Sequence, residues 1–358
     1  MKNIRLNILF LLLPFLLAAN MPEGRYKREK IIRQQYEVGR DGKVQIDNSY
    51  GNINIITWQQ NKVDIKVTIT VDGNDLDAVS KRIKSIWVDI NKSPMRVTAV
   101  THIGSSSQSW SLFSWFFGKS HQTNFQINYE VRMPENFDLK LTNDYGNIFI
   151  NKLSGRLDLN ADYGKFEIGE LLHTQNEINT DYLSTSHIDF VKQAEINADY
   201  SKIIIDSAYK LRLNCDYSTI KIKDVRFIKF NNDYGSINIA NGKEIYGSGD
   251  YATRNFGGIA VLKFEGDYGS VHVKSLSKNF DQVHLVCDYT TIKIENPEQV
   301  PYRVDIQQEY GCFKHSGLEI YREINDNGDK EIKAYYLDRN APSIIKITED
   351  YGCIKIYN

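Results

Sequence analysis

Cysteine is scarce in this chain: 4 of 358 residues, too few for the dense disulfide framework on which small exported folds depend. Neither sign of charge prevails, with 44 basic against 45 acidic side chains, so nothing in the balance points to nucleic acid or to a strongly acidic partner. Histidine is limited to seven scattered positions (His102, His121, His173, His187, His272, His284 and His315) without metal-type spacing, and no nucleophile elbow or phosphate loop is present. No long apolar run follows the first twenty residues. No catalytic, cofactor-binding or metal residue is therefore assigned.

The N-terminus does carry a signal. "MKNIRLNILFLLLPFLLAAN" places Lys2 and Arg5 before an apolar run from Ile8 to Leu17 and then Ala18 and Ala19, the layout of a secretory signal peptide over 1–19. The run is short for a membrane span, and no cysteine near the cleavage point supports lipid attachment. The mature chain is expected to be exported, with periplasm, cell surface and medium left open.

What the sequence has in abundance is repetition. "NADYSKIII" at 197–205 returns as "NCDYSTIKI" at 214–222 and "NNDYGSINI" at 231–239. The tyrosine column runs Tyr50, Tyr145, Tyr163, Tyr182, Tyr200, Tyr217, Tyr234, Tyr251, Tyr268, Tyr289, Tyr310 and Tyr351, mostly at intervals of 17 to 21 residues. Asp precedes most of them and a small residue usually follows, so the recurring corner reads Asp144, Tyr145, Gly146; Asp162, Tyr163, Gly164; Asp199, Tyr200; Asp216, Tyr217; Asp233, Tyr234, Gly235; Asp267, Tyr268, Gly269. On either side apolar residues alternate with a period of two, as in Leu211 and Leu213 before Tyr217 and Ile220 and Ile222 after it.

Each unit is thus two short strands and two bends, and it cannot bury its apolar face alone. Stacking the units in parallel forms continuous columns of inward side chains. The expected class is all-β: a parallel β-solenoid with two short strands per rung of about 17–21 residues, carrying an N-terminal α+β cap insertion. About a dozen rungs roughly 4.8 Å apart make a rod on the order of 55 Å long. In this reading Asp caps the Gly two residues later in an Asx-turn, and Tyr, sharing the parity of the inward residues, fills a corner of the core. Asn160, Asn179, Asn197, Asn214 and Asn231 form a column whose amides can bond along the stack.

Three parts break the repeat. The chain divides into 1–19, an N-terminal segment and first strand at 20–42, a first rung with its capping insertion at 43–135, and repeats over 136–358. The insertion holds a helix at about 74–86 and an aromatic loop at 104–120 with Trp110, Phe113, Trp115, Phe116 and Phe117, which fits either a flap over the solenoid end or a contact loop. "LEIYREINDNGDKEIKAYYL" (318–337) reads as a hairpin projecting from a rung; without it Tyr310 and Tyr351 become successive rungs, and Cys312 and Cys353 come within disulfide reach. Cys215 and Cys287 lie several rungs apart and are expected to be buried thiols. The final "CIKIYN" is a strand without an evident cap, so its edge calls for the hairpin or for self-association.

Stacked aspartates also invite a calcium reading, but one Asp beside a Gly it can cap fits the turn better. "KVQIDNSYGNINIITWQQNKVDIKV", with Trp58 after the first rung, and "VRMPENFDLKLTNDYGNI" resemble the DUF4097 and related adhesin-type families of exported bacterial β-solenoids. The resemblance implies an adhesive or cell-envelope role and supplies no catalytic residues. The expected function is a non-enzymatic, exported contact protein for a cell-envelope protein or surface glycan. A carbohydrate-active β-helix enzyme or a purely structural envelope component is the alternative.

Overall fold

The computed structural model describes residues 24–104 and 123–358. The signal layout at 1–19 and the aromatic residues Trp110, Phe113, Trp115, Phe116 and Phe117 lie outside the described residues.

The solenoid begins with β2 (Lys43–Ser49) and β3 (Ile53–Trp58), either side of Tyr50, after a β1 (Tyr26–Glu37) that is not part of a rung. It continues through β8 (Asp138–Leu153), β9 (Leu157–Leu171), β10 (Asn176–Asp181), β11 (Thr185–Asp199), β12 (Lys202–Asn214), β13 (Thr219–Asn231), β14 (Ser236–Ser248), β15 (Thr253–Glu265), β16 (Ser270–Leu276), β17 (Gln282–Asp288) and β18 (Thr291–Glu295). Pairing is parallel and in phase with the repeat: Ile203 faces Ile220, which faces Ile237. These side chains and their counterparts Leu211, Leu213 and Ile228 are fully or almost fully buried.

Two consecutive outward residues mark each bend. In the rung after Tyr200, Ile203, Ile205, Ala208, Leu211 and Leu213 point inward, so the chain turns both before and after Ala208. A rung therefore has three bends rather than the two expected, with a short third side centred on one buried residue such as Val191, Ala208, Val225 or Ile259.

Between β3 and β8 the insertion builds the N-terminal cap from β4 (Lys62–Gly73), α1 (Leu76–Lys84), β5 (Ile86–Ser93), β6 (Arg96–Ile103) and β7 (Thr123–Pro134). Strand β6 extends β2 in parallel and β7 extends β3, after which the pairing turns antiparallel: β5 on β6, β4 on β7, β1 on β4. Helix α1 starts where the Asp75 carboxylate accepts the N–H groups of Asp77 (2.8 Å) and Ala78 (2.9 Å), and it buries Val79 and Ile83.

The C-terminal end is folded out of chain order. β19 (Tyr302–Glu309) and β20 (Cys312–His315) form the outermost rung, and β21 (Glu319–Asp326) and β22 (Asp329–Tyr336) form a hairpin. The chain then returns, inserting β23 (Ile344–Asp350) between β17 and β19 and β24 (Cys353–Tyr357) between β18 and β20. Two expectations are corrected. The hairpin does not project, because β22 lies antiparallel on β19 and covers the end of the stack. The last strand needs no separate cap, because both of its edges are paired. Among the described residues the outer strands are β1, β5, β20 and β21; β1 and β21 carry charged side chains along their length, which discourages edge pairing.

Candidate functional site

The repeated corner is the most distinctive surface of the molecule. All twelve column tyrosines adopt the left-handed conformation, with φ between 47° and 61°. An extended residue would have put the ring inside; the left-handed turn puts it outside. Eleven of the twelve tyrosines are exposed, up to 62 % at Tyr310, and Tyr182 is partly exposed, which corrects the expectation that they fill the core. A non-glycine residue held there costs ~1 kcal/mol or more, so something must compensate in every rung.

The compensation is stacking. Eleven successive ring pairs lie 4.8 to 5.4 Å apart with interplanar angles of 2° to 15°, in the spatial order Tyr289, Tyr351, Tyr310 at the last rungs. Each pair is worth ~0.5–1.5 kcal/mol beyond the area it buries. Both ladder ends are covered: Phe125 tilts against Tyr50 at 5.2 Å, with Arg82 4.4 Å over Phe125, and Gly328 of the hairpin lies against Tyr310. With φ +105° and the Tyr310 ring in the space a Cβ would take, that turn position calls for glycine.

Beside the ladder runs the aspartate column. Its members bond between rungs rather than within the turn, correcting the Asx-turn expectation. The Asp233 N–H donates to Asp216 Oδ1 (3.2 Å), the Asp250 N–H to Asp233 Oδ1 (2.7 Å) and the Asp267 N–H to Asp250 Oδ1 (2.8 Å). Burial, reinforced by neighbouring aspartates, raises the carboxyl pKa of Asp144, Asp181, Asp216 and Asp288 above the ordinary range.

Two positions before Asp162, Asp181, Asp199, Asp216 and Asp233 stands the asparagine column. Asn179 donates to Asn160 (3.3 Å), Asn197 to Asn179 (2.7 Å) and Asn214 to Asn197 (2.8 Å). Between the two columns lies a groove of about 510 Å³ with Thr180, Ala198 and Cys215 among its lining residues. The amide wall ends where Thr142 precedes Asn160 and Ser248, Glu265 and Val286 follow Asn231 in the stack.

The inward positions between Asn and Asp are mostly small, with buried polar exceptions. Asn48 donates to Asn143 (3.0 Å), and Gln308 donates to the fully buried Glu349 (3.0 Å), whose carboxyl pKa is raised by burial. Arg254 replaces an inward aliphatic residue with 0 % exposure. Its guanidinium donates to Ala252 O (3.2 Å), Asn232 O (3.1 Å) and Gly249 O, lies 4.4 Å over Phe264 and occupies space beside Gly269. Burial lowers its pKa to about 10. Cys312 and Cys353 are disulfide-bonded, with Cα atoms 4.5 Å apart, while Cys215 and Cys287 are buried thiols that burial pushes up to about 12.

The fold also makes one cluster that linear spacing concealed. His187 Nδ1 lies 3.4 Å from Asp189 and its Nε2 lies 3.3 Å from Asp206 on the next rung. These three groups offer ligand atoms within 4.8 Å of one another. Each ring nitrogen faces a different carboxylate. The only hint in the sequence is that Asp189 and Asp206 are one 17-residue rung apart.

No protein-family model and no curated protein matches the chain, so the DUF4097 resemblance stands on the residues quoted for it. Several solved structures do match. A "putative cell adhesion protein" from Clostridium sporogenes is 13% identical, over 93% of this chain and 99% of its own, with a TM-score of 0.19. A "putative adhesin" from Parabacteroides distasonis is 8% identical over 91% and 97%, at 0.36. A "putative lipid binding protein" from the same species is 9% identical over 91% and 96%, at 0.27. None of these likenesses bears on what this chain binds.

Proposed function

We propose that the chain is an exported, non-enzymatic contact protein, adhesin-like in role, whose Tyr, Asp and Asn columns form the face that meets a cell-envelope component. The observation that carries this reading is that one exposed feature recurs in every rung along the whole rod. A catalytic centre needs a few unlike groups gathered once; a contact surface for something long benefits from the same group offered many times. Export rests on the layout of residues 1–19. Among the described residues no helix is long and apolar enough to cross a membrane.

The test combines localisation with site-directed crosslinking. The reading expects the protein in envelope or external fractions, and a photo-crosslinker at Lys229, beside the groove, to capture envelope material that one at Lys274, on the far side of the rung, does not. Cytoplasmic retention, or equal capture from both sites, would overturn it. Release of reducing ends from envelope polysaccharide by the purified chain would overturn the non-enzymatic part.

A further inference from the structure

We infer that the groove between the Asn and Asp columns is a binding site for an extended, neutral, linear glycan, with about one sugar ring per rung. This rests on the contact-face reading and names its ligand.

The fold leaves hydrogen-bonding valences open on both walls of the groove. Each carboxylate in the groove wall has one oxygen committed to the neighbouring rung: Asp162 Oδ1 accepts the Asp181 N–H (3.2 Å), and Asp199 Oδ1 accepts the Asp216 N–H (3.1 Å). The second oxygen faces no protein donor. Along the amide wall Asn197 donates one N–H to Asn179 and Asn214 one to Asn197, and an amide has two, whereas Asn179 directs its amide to Asn160 and to Glu177 (3.4 Å). The groove therefore presents a row of acceptors opposite a row of donors, repeating once per rung at roughly 4.8 Å.

Only some ligands use both rows. A polycation engages the carboxylates and leaves the amide N–H groups idle, and an anionic polymer is repelled by the aspartates. A hydroxyl can donate to a carboxylate oxygen and accept from an amide at the same time. An extended β-1,4-linked pyranose chain advances by close to one strand spacing per ring and, with alternate rings turned over, offers hydroxyls on both edges at every ring. The neighbouring tyrosines do not form the flat stacking platform common in sugar recognition, because their faces are occupied by one another at about 5 Å. Recognition is then by hydrogen bonds multiplied along the groove, so affinity should depend on length.

Cellulose- and chitin-derived oligosaccharides of two to six sugars, titrated into the full chain by calorimetry, test this. Affinity is expected to rise several-fold per added sugar and to level off near five, the number of rungs in the amide wall from Asn160 to Asn231. Asn197→Leu, which puts an aliphatic branch into the groove, should abolish binding. Asp199→Asn, which keeps the Oδ1 acceptor needed by the next rung, should weaken it about tenfold without lowering the melting temperature. Lys274→Ala, away from the groove, should change nothing. Length-independent binding, binding unaffected by both groove variants, or preference for spermine over the hexasaccharides would overturn the glycan assignment. If no oligosaccharide binds while the crosslinker beside the groove still captures envelope material, the ligand class is wrong and the contact reading stands. If both fail, both fall.

Discussion

Replacing Tyr217 by alanine and, separately, by glycine should reverse the usual order of those two residues. In a strand glycine is ordinarily the worse by ~0.5–1 kcal/mol, because it has more backbone freedom to lose. Tyr217 sits at φ 52°, where an alanine Cβ keeps the strain and glycine has none. Both changes remove a ring stacked 4.8 Å from Tyr200 and 4.9 Å from Tyr234. At ~0.5–1.5 kcal/mol for each stack this is about 1–3 kcal/mol. The ring is 51% exposed, so on the order of 100 Å² of it is buried, adding up to ~2.5 kcal/mol at about 25 cal/mol per Å². Alanine should therefore cost ~3–5 kcal/mol. Glycine should cost about 1 kcal/mol less, since relief of the left-handed strain outweighs its unfolded-state entropy. Guanidinium unfolding of the two variants, compared at equal m-value, measures the difference. An alanine variant as stable as the glycine variant, or more so, would refute the claim that the backbone is strained and the stack compensates for it.

Alkaline pH should dismantle the ladder. Burial first, and then neighbouring tyrosines, hold the phenols of Tyr145, Tyr200, Tyr234 and Tyr351 protonated to higher pH than in the unfolded chain. The folded state then binds more protons, so stability is intact below the ordinary phenol pKa of about 10 and falls as pH rises above it; absorbance at 295 nm should rise together with loss of near-ultraviolet dichroism, and independent titration of a still-folded ladder would contradict this. For Asp216, raised chiefly by burial and then by the like charges of Asp233 and Asp199 against the lowering effect of the Asp233 N–H, the same sign applies at lower pH. Asp216→Asn, which retains the Oδ1 acceptor, should melt no lower than wild type at pH 7 and lose any advantage toward pH ~4, whereas Asp216→Ala should be destabilised by ~1 kcal/mol. Reducing the Cys312–Cys353 bridge opens a loop of separation 41, a chain-entropy effect of up to ~4 kcal/mol; faster hydrogen exchange in β20 and β24, with β11 to β14 unchanged, is the expected result, and identical exchange with and without reductant would count against it.

The rungs were legible because each restates the period-two pattern of its neighbours, so Ile203, Ile220 and Ile237 had to share one interior column. The orientation of the tyrosines was not, because the parity argument assumes extended backbone and a single left-handed residue shifts every later side chain to the other face. The clue was that Asp and Tyr are adjacent and both polar-tipped, which suits two consecutive outward positions. Aspartate was assigned a local bond because local partners can be read from sequence, whereas the Asp233 N–H that Asp216 accepts is adjacent only after stacking. The order Tyr289, Tyr351, Tyr310 was unreadable for a related reason: the repeat says which segments are equivalent, not which is laid down beside which.

That asymmetry bears on how the rod holds together. A lone rung carries the left-handed strain of its tyrosine, an Asp acceptor and an Asn amide without partners, and an uncovered apolar face. Every one of these is remedied by a neighbour and none by the rung itself. In a one-dimensional stack this places stability in the interfaces between repeats, so partial stacks are disfavoured and the ends need dedicated covers. Phe125 and the cap strands provide one cover, and the β21–β22 hairpin the other. The late insertion of β23 and β24 adds two interfaces at once, where one rung appended in order would add one. A face built this way stays straight and periodic across many rungs, the condition under which a weak contact repeated per rung becomes a strong one along the rod.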